Sequence, residues 1–435
     1  MKIVLEIHNL DEFESDYLEM IIERGKIIFE EVNDVVSDII DKVIEQGDDA
    51  LVEFTEKFDG VRIKKENLLV TREEIEEAYN SVDESFLKAL RQAKKNIKKF
   101  HEAQIKNKWF IETEPGVQVG QIVRPFKRAG LYIPGGRAPY PSTVLMTAIP
   151  ARAAGVGEIF LVTPPNKDGK IDPSILVAAD ECKVTEIYKV GGAQAIAALA
   201  YGTLTIKPVD KIIGPGNMYV MAAKILVSND VRIDLPAGPS EICIISDSYA
   251  DPRYITVDIM AQAEHDPDTF CILLTTSKGI AMAVASEIEV TYQDYDRKDI
   301  IREALENNVF LVVVENLSEA IRISNLIAPE HLEILVKEEK EEAVLSEIQN
   351  AGAIFLGKYS PVAIGDYSAG SNHVLPTGGT AKNYSGLSTM DFMKVIDVVN
   401  CTKEGLQNLK DSVLTLAKRE GLDVHAQSVL KRLEN

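Results

Sequence analysis

The sequence predicts an α/β protein made of two tandem, doubly wound, Rossmann-like parallel-sheet domains, preceded by an N-terminal helical segment and followed by a C-terminal helical tail. Two observations carry this expectation. From about residue 129 onward, short β-rich runs alternate with helical stretches in two successive series of similar length. Each parallel connection needs a crossover, and a helix supplies it. The 435-residue length is also too great for one ordinary core and suits several folding units.

The expected boundaries are 1–108 for the helical segment, 109–238 for the first α/β domain, 239–380 for the second and 381–435 for the tail. Residues 1–108 carry charged stretches with apolar residues at helical spacing, such as Val35, Ile39, Val43 and Ile44. Asp34 is placed to cap that helix and Gly47 to end it. The two histidines of this segment, His8 and His101, sit among ordinary polar residues and read as structural or surface groups.

The first series runs GLYIP, STVLMTAIPARAAG, EIFLVTP, DPSILVAADE, TEIYKV, AQAIAALAYG, VDKIIG and NMYVMAAKILV, which is four βα units. The second runs EICIISD, DPRYITVDIMAQAEH, FCILLTT, a helix near 279–289, VFLVVVEN, LSEAIRISNLI, LEILV, a helix near 339–350, and AIFLG. In such sheets ligands gather at the carboxyl ends of the strands, so residues just after a strand are the first candidates for chemistry. Residues 358–392 are rich in Gly, Ser and Pro without a period and read as a long functional loop. Residues 403–432 return to helical spacing, able to close the same core or to reach another subunit.

Composition excludes several classes of function. A net charge of -21 leaves no basic field for a nucleic-acid backbone. No run of 18 apolar residues could span a bilayer, and the N-terminus turns acidic too early for a secretory signal, so a cytoplasmic location is expected. Cys182, Cys243, Cys271 and Cys401 are far apart, form no CxxC pair and read as buried small hydrophobes.

The histidines point to chemistry. There are only six, and His265, His331, His373 and His425 stand beside carboxylates, amides or glycines. Gln262 and His265, in AQAEHDPD, are three apart on a predicted helix and share a face, as two metal ligands would, although many helices carry polar pairs at that spacing. Glu330 and His331, in APEHLEI, sit where a helix gives way to a strand and offer two bases of different strength. Their plain alternative is a capped helix end. Asp366 and His373 lie in GDYSAGSNHVLPTGG, whose glycines permit turns that aim side chains inward. His425 follows Glu420 in EGLDVHAQSV. The turns IPGGRAPYPSTV, VGGAQAIAAL and GPGNMYV each follow a strand and open a helix, which places backbone amides where phosphates could sit. None is GxGxxG, so the spacing alone does not give a dinucleotide site.

The segments LYIPGGRAPYPSTVLM, VGGAQAIAALAYGT, KIIGPGN, AGPSEI, AQAEHDPD, APEHLEI, GDYSAGSNHVLPT and GLDVHAQSV, in this order, resemble the histidinol dehydrogenase family along most of the chain. The match is weaker in the N-terminal helical zone and in AKNYSGLSTMDFMK. The resemblance implies a homodimer with shared active sites, one catalytic Zn2+ per site and NAD used twice, in the oxidation of L-histidinol through its aldehyde to L-histidine. By motif match the zinc ligands would be Gln262, His265 and Asp366 from one subunit and His425 from the other. Glu330 and His331 would be the acid–base pair. Ser240, His373 and Glu420 would contact substrate, together with Gln262, His265, His331, Asp366 and His425, and NAD would meet Tyr132, Gln194 and Asn217. A zinc hydrolase is the rival enzyme class, but HExxH is absent and the glycine turns would have no role. A metal-stabilised binding scaffold is the non-enzyme rival, and it would not need Glu330 and His331.

Overall fold

A computed structural model describes residues 5–24, 30–106, 108–135, 138–234 and 238–434. In chain order the strands are β1 (Ile7–Asn9), β2 (Trp109–Glu114), β3 (Val117–Pro125), β4 (Arg128–Tyr132), β5 (Glu158–Thr163), β6 (Glu186–Lys189), β7 (Lys211–Ile213), β8 (Arg232–Ile233), β9 (Glu241–Ser246), β10 (Phe270–Thr275), β11 (Val309–Val313), β12 (His331–Leu335), β13 (Ala353–Leu356) and β14 (Met393–Cys401). They form three sheets. Two are wholly parallel, in the orders β6-β5-β4-β7-β8 and β1-β11-β10-β9-β12-β13. This is the mixed α/β architecture that the two alternating series predict.

Both parallel sheets are covered on both faces, which explains why their strands read as nearly continuous apolar runs. In β9, Ile242 and Ile244 enter one core while Cys243 and Ile245 enter the other. In β4, Ala129 and Leu131 face one core and Tyr132 the opposite one. The N-terminal segment supplies much of this cover: helices Glu30–Gln46 and Asp48–Asp59 pack on one side of the first sheet, and helix Glu84–Ala103 on the other.

Several local expectations change. Helix Glu30–Gln46 begins before Asp34, which lies inside it and does not cap it. Its buried stripe is Val32, Val36, Ile39, Ile40 and Val43, whereas Val35 and Ile44 are exposed, because the helix meets the sheet one residue out of phase with the assumed face. Residues Ile7–Asn9, read as part of a helical zone, form β1 and extend the second sheet by pairing with β11. The third sheet, β14-β3-β2, is antiparallel and was not foreseen. It joins β3 to a strand far along the chain, Val123 opposite Val395, and local periodicity carries no trace of such a pairing. Cys401 ends β14 and is exposed, unlike the other three cysteines.

His8 and His101 are buried. His101 continues the inner stripe of Leu90, Ala93 and Ile97 on its helix, with Nδ1 2.9 Å from Ile97 O and Nε2 3.2 Å from Asn372 Nδ2. Helices Lys403–Arg419 and Asp423–Leu433 form the tail and pack on each other.

Candidate active site

Strand order in each parallel sheet reverses once, between β4 and β7 in the first and between β9 and β12 in the second. The crevice at a reversal is where an open α/β sheet has room for a ligand. The two reversals are used at opposite ends.

In the first sheet the candidates stand at the carboxyl ends, as expected. Tyr132 ends β4, and its hydroxyl accepts from Gly192 N–H at 3.2 Å. Gly192, at φ +66, needs to be glycine to turn that amide. Gly214, at φ +128, passes so close to the Tyr132 backbone that a Cβ would lie 2.0 Å from its carbonyl oxygen. Asn217 caps helix Met218–Leu226, its Oδ1 accepting from the N–H groups of Tyr219 and Val220, both at 3.1 Å. Gln194 is buried, and neither of its side-chain polar atoms has a partner among the described residues. Tyr132, Gln194 and Asn217 line one cavity of about 1190 Å³. Phe58 and Asp59 also line it. Burial pushes the Asp59 carboxyl up to about 6, and its Oδ2 has no hydrogen-bond partner among the described residues. Unpaired buried amide and carboxyl groups in one cavity suit a polar, hydroxyl-bearing ligand such as a dinucleotide. Gly136 and Arg137 of the IPGGRAPYPSTV turn lie outside the described residues.

In the second sheet the candidates stand at the amino ends of the strands, contrary to the general expectation. Helix Leu317–Ile327 ends on Ala328 at φ 51, and Glu330 and His331 follow as the entry to β12. Glu241, the first residue of neighbouring β9, fastens both. Its backbone N–H donates to Glu330 Oε2 at 2.9 Å, its Oε1 accepts from Glu330 N–H at 3.1 Å, and its carbonyl lies 3.0 Å from His331 Nδ1. Glu241 is held in turn by Arg24, whose Nε lies 2.6 Å from Oε2. The sequence reading stopped at Ser240 and missed Glu241. The available signal was an acidic residue opening the otherwise apolar strand EICIIS.

Because a carbonyl can only accept, Nδ1 of His331 carries the proton there, and a neutral ring keeps its lone pair on Nε2. That Nε2 is buried and has no hydrogen-bond partner among the described residues. Asp366 Oδ1 is 3.7 Å away, too far for a hydrogen bond but close for an ion pair. Glu330 Oε2 lies 3.6 Å from Nδ1. Burial pushes Glu330 up to about 8. Burial pulls His331 down, but the Glu330 and Asp366 carboxylates outweigh it and leave the imidazole at about 9. Despite its own burial, Asp366 is held below the ordinary carboxyl range by His331.

His373 joins the group: Nδ1 is 3.0 Å from the Asp366 carbonyl and Nε2 is 3.2 Å from Thr143 Oγ1, on helix Pro141–Ala154. This contact links the cluster to the first sheet, since Ala138 and Pro139, just before that helix, line the large cavity. Gln262 is buried near the end of helix Pro252–Ala263, and exposed His265 follows it, with Asp366 and His331 near enough to bias its charge. Ser240 accepts at its carbonyl from Phe270 N–H at 3.1 Å and adjoins Glu241. The structure therefore brings His265, Glu330, His331, Asp366 and His373 together, with Gln262 on the helix turn that leads into His265.

It does not bring Glu420 and His425 to them. Both are exposed on the helical tail, where His425 N–H donates to Leu422 O at 3.0 Å. Among the described residues, no three His, Cys, Asp or Glu side chains are grouped to hold a metal ion. The donors of Gln262, His265 and Asp366 are an amide oxygen, an imidazole and a carboxylate, a hard-to-borderline set that fits zinc but lacks a fourth protein ligand.

A family model described as histidinol dehydrogenase matches residues 22–433. The histidinol dehydrogenase of Methanothermobacter thermautotrophicus is 51% identical over 98% of this chain and 99% of its own. That of Methanocaldococcus jannaschii is 49% identical over 98% and 99%. A crystal structure of histidinol dehydrogenase from Elizabethkingia anophelis superposes with a TM-score of 0.94 at 39% identity, covering 100% of this chain and 99% of that one. On these matches, which span nearly all of the sequence, the chain belongs to the histidinol dehydrogenase family.

Proposed function

We propose that this protein oxidises L-histidinol through L-histidinaldehyde to L-histidine, reducing two NAD with the help of one zinc ion per site. The observation that carries the reading is His331: a buried imidazole, locked at Nδ1 and without a partner at Nε2 among the described residues, between two carboxylates and beside His265 and Asp366.

In its neutral form, favoured as pH rises toward and above about 9, His331 takes at Nε2 the proton of the substrate hydroxyl in the first oxidation. Asp366 and Glu330 stabilise the imidazolium that results, which makes the ring a stronger base than free histidine. In the second oxidation His331, assisted by Glu330, takes a proton from the water that adds to the aldehyde. Gln262, His265 and Asp366, with His425 of a second subunit, would hold the metal. Bound zinc supplies a template that orients the substrate's imidazole and amine, and bound NAD supplies the acceptor for each hydride. Ser240, His373 and Glu420 complete the substrate contacts. Tyr132, Gln194 and Asn217 hold the dinucleotide, a reading supported by the orphaned amide of Gln194 in the large cavity.

The shared site requires a homodimer. Support comes from apolar surface on and near the third sheet and the tail: Phe110, Ile111, Val395, Val399, Leu416 and Val424 are all exposed in the single chain. No helix among the described residues is long and apolar enough to cross a membrane, and we place the enzyme in the cytoplasm. Incubating the zinc-loaded protein with histidinol and NAD tests the whole reading. Two NADH per histidine formed are expected, and histidinol consumption without NADH formation would refute it.

A further inference from the structure

Gly214 connects the residues proposed to meet the dinucleotide. It follows β7, opens the turn to Asn217 and, at φ +128, lies against the Tyr132 backbone. The Tyr132 hydroxyl in turn accepts from Gly192 N–H, two residues before Gln194. The relative placement of Tyr132, Gln194 and Asn217 therefore depends on where Gly214 sits. A residue that leaves a sheet takes its N–H and C=O out of the ladder, and when buried these groups must find other partners.

Both partners of Gly214 are side chains. Its N–H donates to Asp234 Oδ2 at 2.7 Å, and its carbonyl accepts from Lys224 Nζ at 3.0 Å. Lys224 and Asp234 form an ion pair with each other, their side chains 0% and 2% exposed. Local structure explains how they reach the turn. Asp234 comes just after β8, and its own N–H donates to Ile212 O at 3.1 Å, which prolongs the pairing of β8 with β7. Lys224 lies near the end of helix Met218–Leu226, whose N-cap is Asn217. Side chains on a helix tilt toward its N-terminus, so the long lysine stem runs back along the helix to the turn that precedes it.

A buried ion pair is weak evidence for stability, because apolar residues of similar volume often serve a core as well. An apolar pair cannot, however, bond the N–H and the C=O of one residue at once. An ammonium supplies only donors and a carboxylate only acceptors, so together they match the two backbone groups that Gly214 presents. Neither Lys224 nor Asp234 lines the large cavity. Their effect on a ligand there must pass through Gly214.

We propose that Lys224 and Asp234 are positioning residues for the dinucleotide site: by holding both backbone groups of Gly214, they fix the turn that presents Asn217 beside Tyr132. The proposal rests on the dinucleotide reading above and gives the pair no contact with zinc or histidinol.

The test uses full-length, zinc-loaded protein. NAD is titrated by calorimetry, and KM for NAD, KM for histidinol, kcat and Tm are measured beside it. Lys224→Met keeps an unbranched stem but frees the Gly214 carbonyl and leaves the Asp234 carboxylate unpaired. The double variant Lys224→Met/Asp234→Asn removes both charges, while the introduced amide oxygen can still accept from Gly214 N–H. Both variants should weaken NAD binding and raise KM for NAD by about 10- to 100-fold, the scale of a lost hydrogen bond to a charged group. KM for histidinol should stay close to wild type. The double variant should regain much of the Tm lost in Lys224→Met, since no buried charge is left unpaired, but not the NAD affinity. If Lys224→Met does not fold, the double variant carries the test.

NAD affinity that returns together with Tm in the double variant would make the pair a structural feature only and overturn the proposal. Wild-type NAD affinity in both variants would overturn it too, as would equal rises in the two KM values, which would mean a general loosening and not the positioning of one site. Asn217→Ala separates these outcomes from failure of the reading beneath. Weaker NAD binding in Asn217→Ala, with the Lys224 variants at wild-type affinity, strikes only the role of the pair. Wild-type NAD affinity in Asn217→Ala would remove the dinucleotide from this turn, and the pair's proposed role with it.

Discussion

His331 Nε2 faces Asp366 Oδ1 across 3.7 Å, a gap too wide for a hydrogen bond, while the other ring nitrogen is bound to the Glu241 carbonyl at 3.0 Å. The ring is thereby fixed in direction and tautomer, and its basic nitrogen points toward the side chains proposed to receive metal and substrate. Asp366 serves both parts of the site, as a candidate ligand and as the charge that strengthens the base.

Replacing His265 by Ala should remove zinc and activity while the fold survives. His265 is exposed at the end of a helix whose packing rests on Ile255, Ile259 and Met260, so the core loses nothing. Elemental analysis for bound zinc, with an unchanged melting curve of the metal-free protein, checks this. Full activity in metal-free protein would sink the metal's role.

Glu330→Gln should separate the two oxidations. The amide oxygen can still accept from Glu241 N–H, so the entry to β12 keeps its geometry, and His331 still accepts the alcohol proton. Oxidation of added histidinaldehyde should fall by about 10² to 10⁴-fold, the usual scale for a lost general base, and the first oxidation by less. Equal losses in single-turnover assays of the two steps would show that the roles are not divided this way.

His425 and Glu420 are exposed on the tail, away from the cluster in their own chain. If each site draws His265 from one subunit and His425 from the other, inactive His265→Ala and His425→Ala proteins should complement when co-refolded. A mixed dimer then has one intact site and one lacking both ligands. Random pairing makes about half of the dimers mixed, so recovery of roughly one quarter of wild-type activity is expected from two-fold symmetry. Absence of recovery despite proven subunit exchange would place His425 in its own chain's site, or in none.

His101 predicts a pH dependence of stability. Burial lowers its pKa from the ordinary value of 6.5. Its Nδ1 donates to Ile97 O while Nε2 accepts from Asn372 Nδ2, an arrangement that only a neutral ring can make. The unfolded chain therefore binds this proton more readily than the folded one. The stabilisation is present above the unfolded pKa and is lost as pH falls below it, by at most about 1.4 kcal/mol per pH unit for one proton. Denaturant unfolding from pH 7.5 to pH 5 should show a shallower decline in His101→Gln than in wild type. Parallel declines would mean that His101 does not titrate on unfolding.

Much of this was legible in the sequence. The βα alternation gave nearly every strand and helix of the two parallel sheets, because local hydrophobic periodicity and turn residues set those elements wherever both faces of a sheet are buried. Motif order pointed to the family and to the residues that the structure then gathers, Glu330, His331, Asp366 and His373 among them. Only the tertiary structure decided the rest. Which face of helix Glu30–Gln46 is buried depended on the sheet it meets. The pairing of β3 with β14 joins residues far apart in sequence, and no local pattern records the loop closure between them. The second cluster forms at the amino ends of β9 and β12, opposite to the general rule, and Glu241 becomes its fastener because strand order places it beside Glu330.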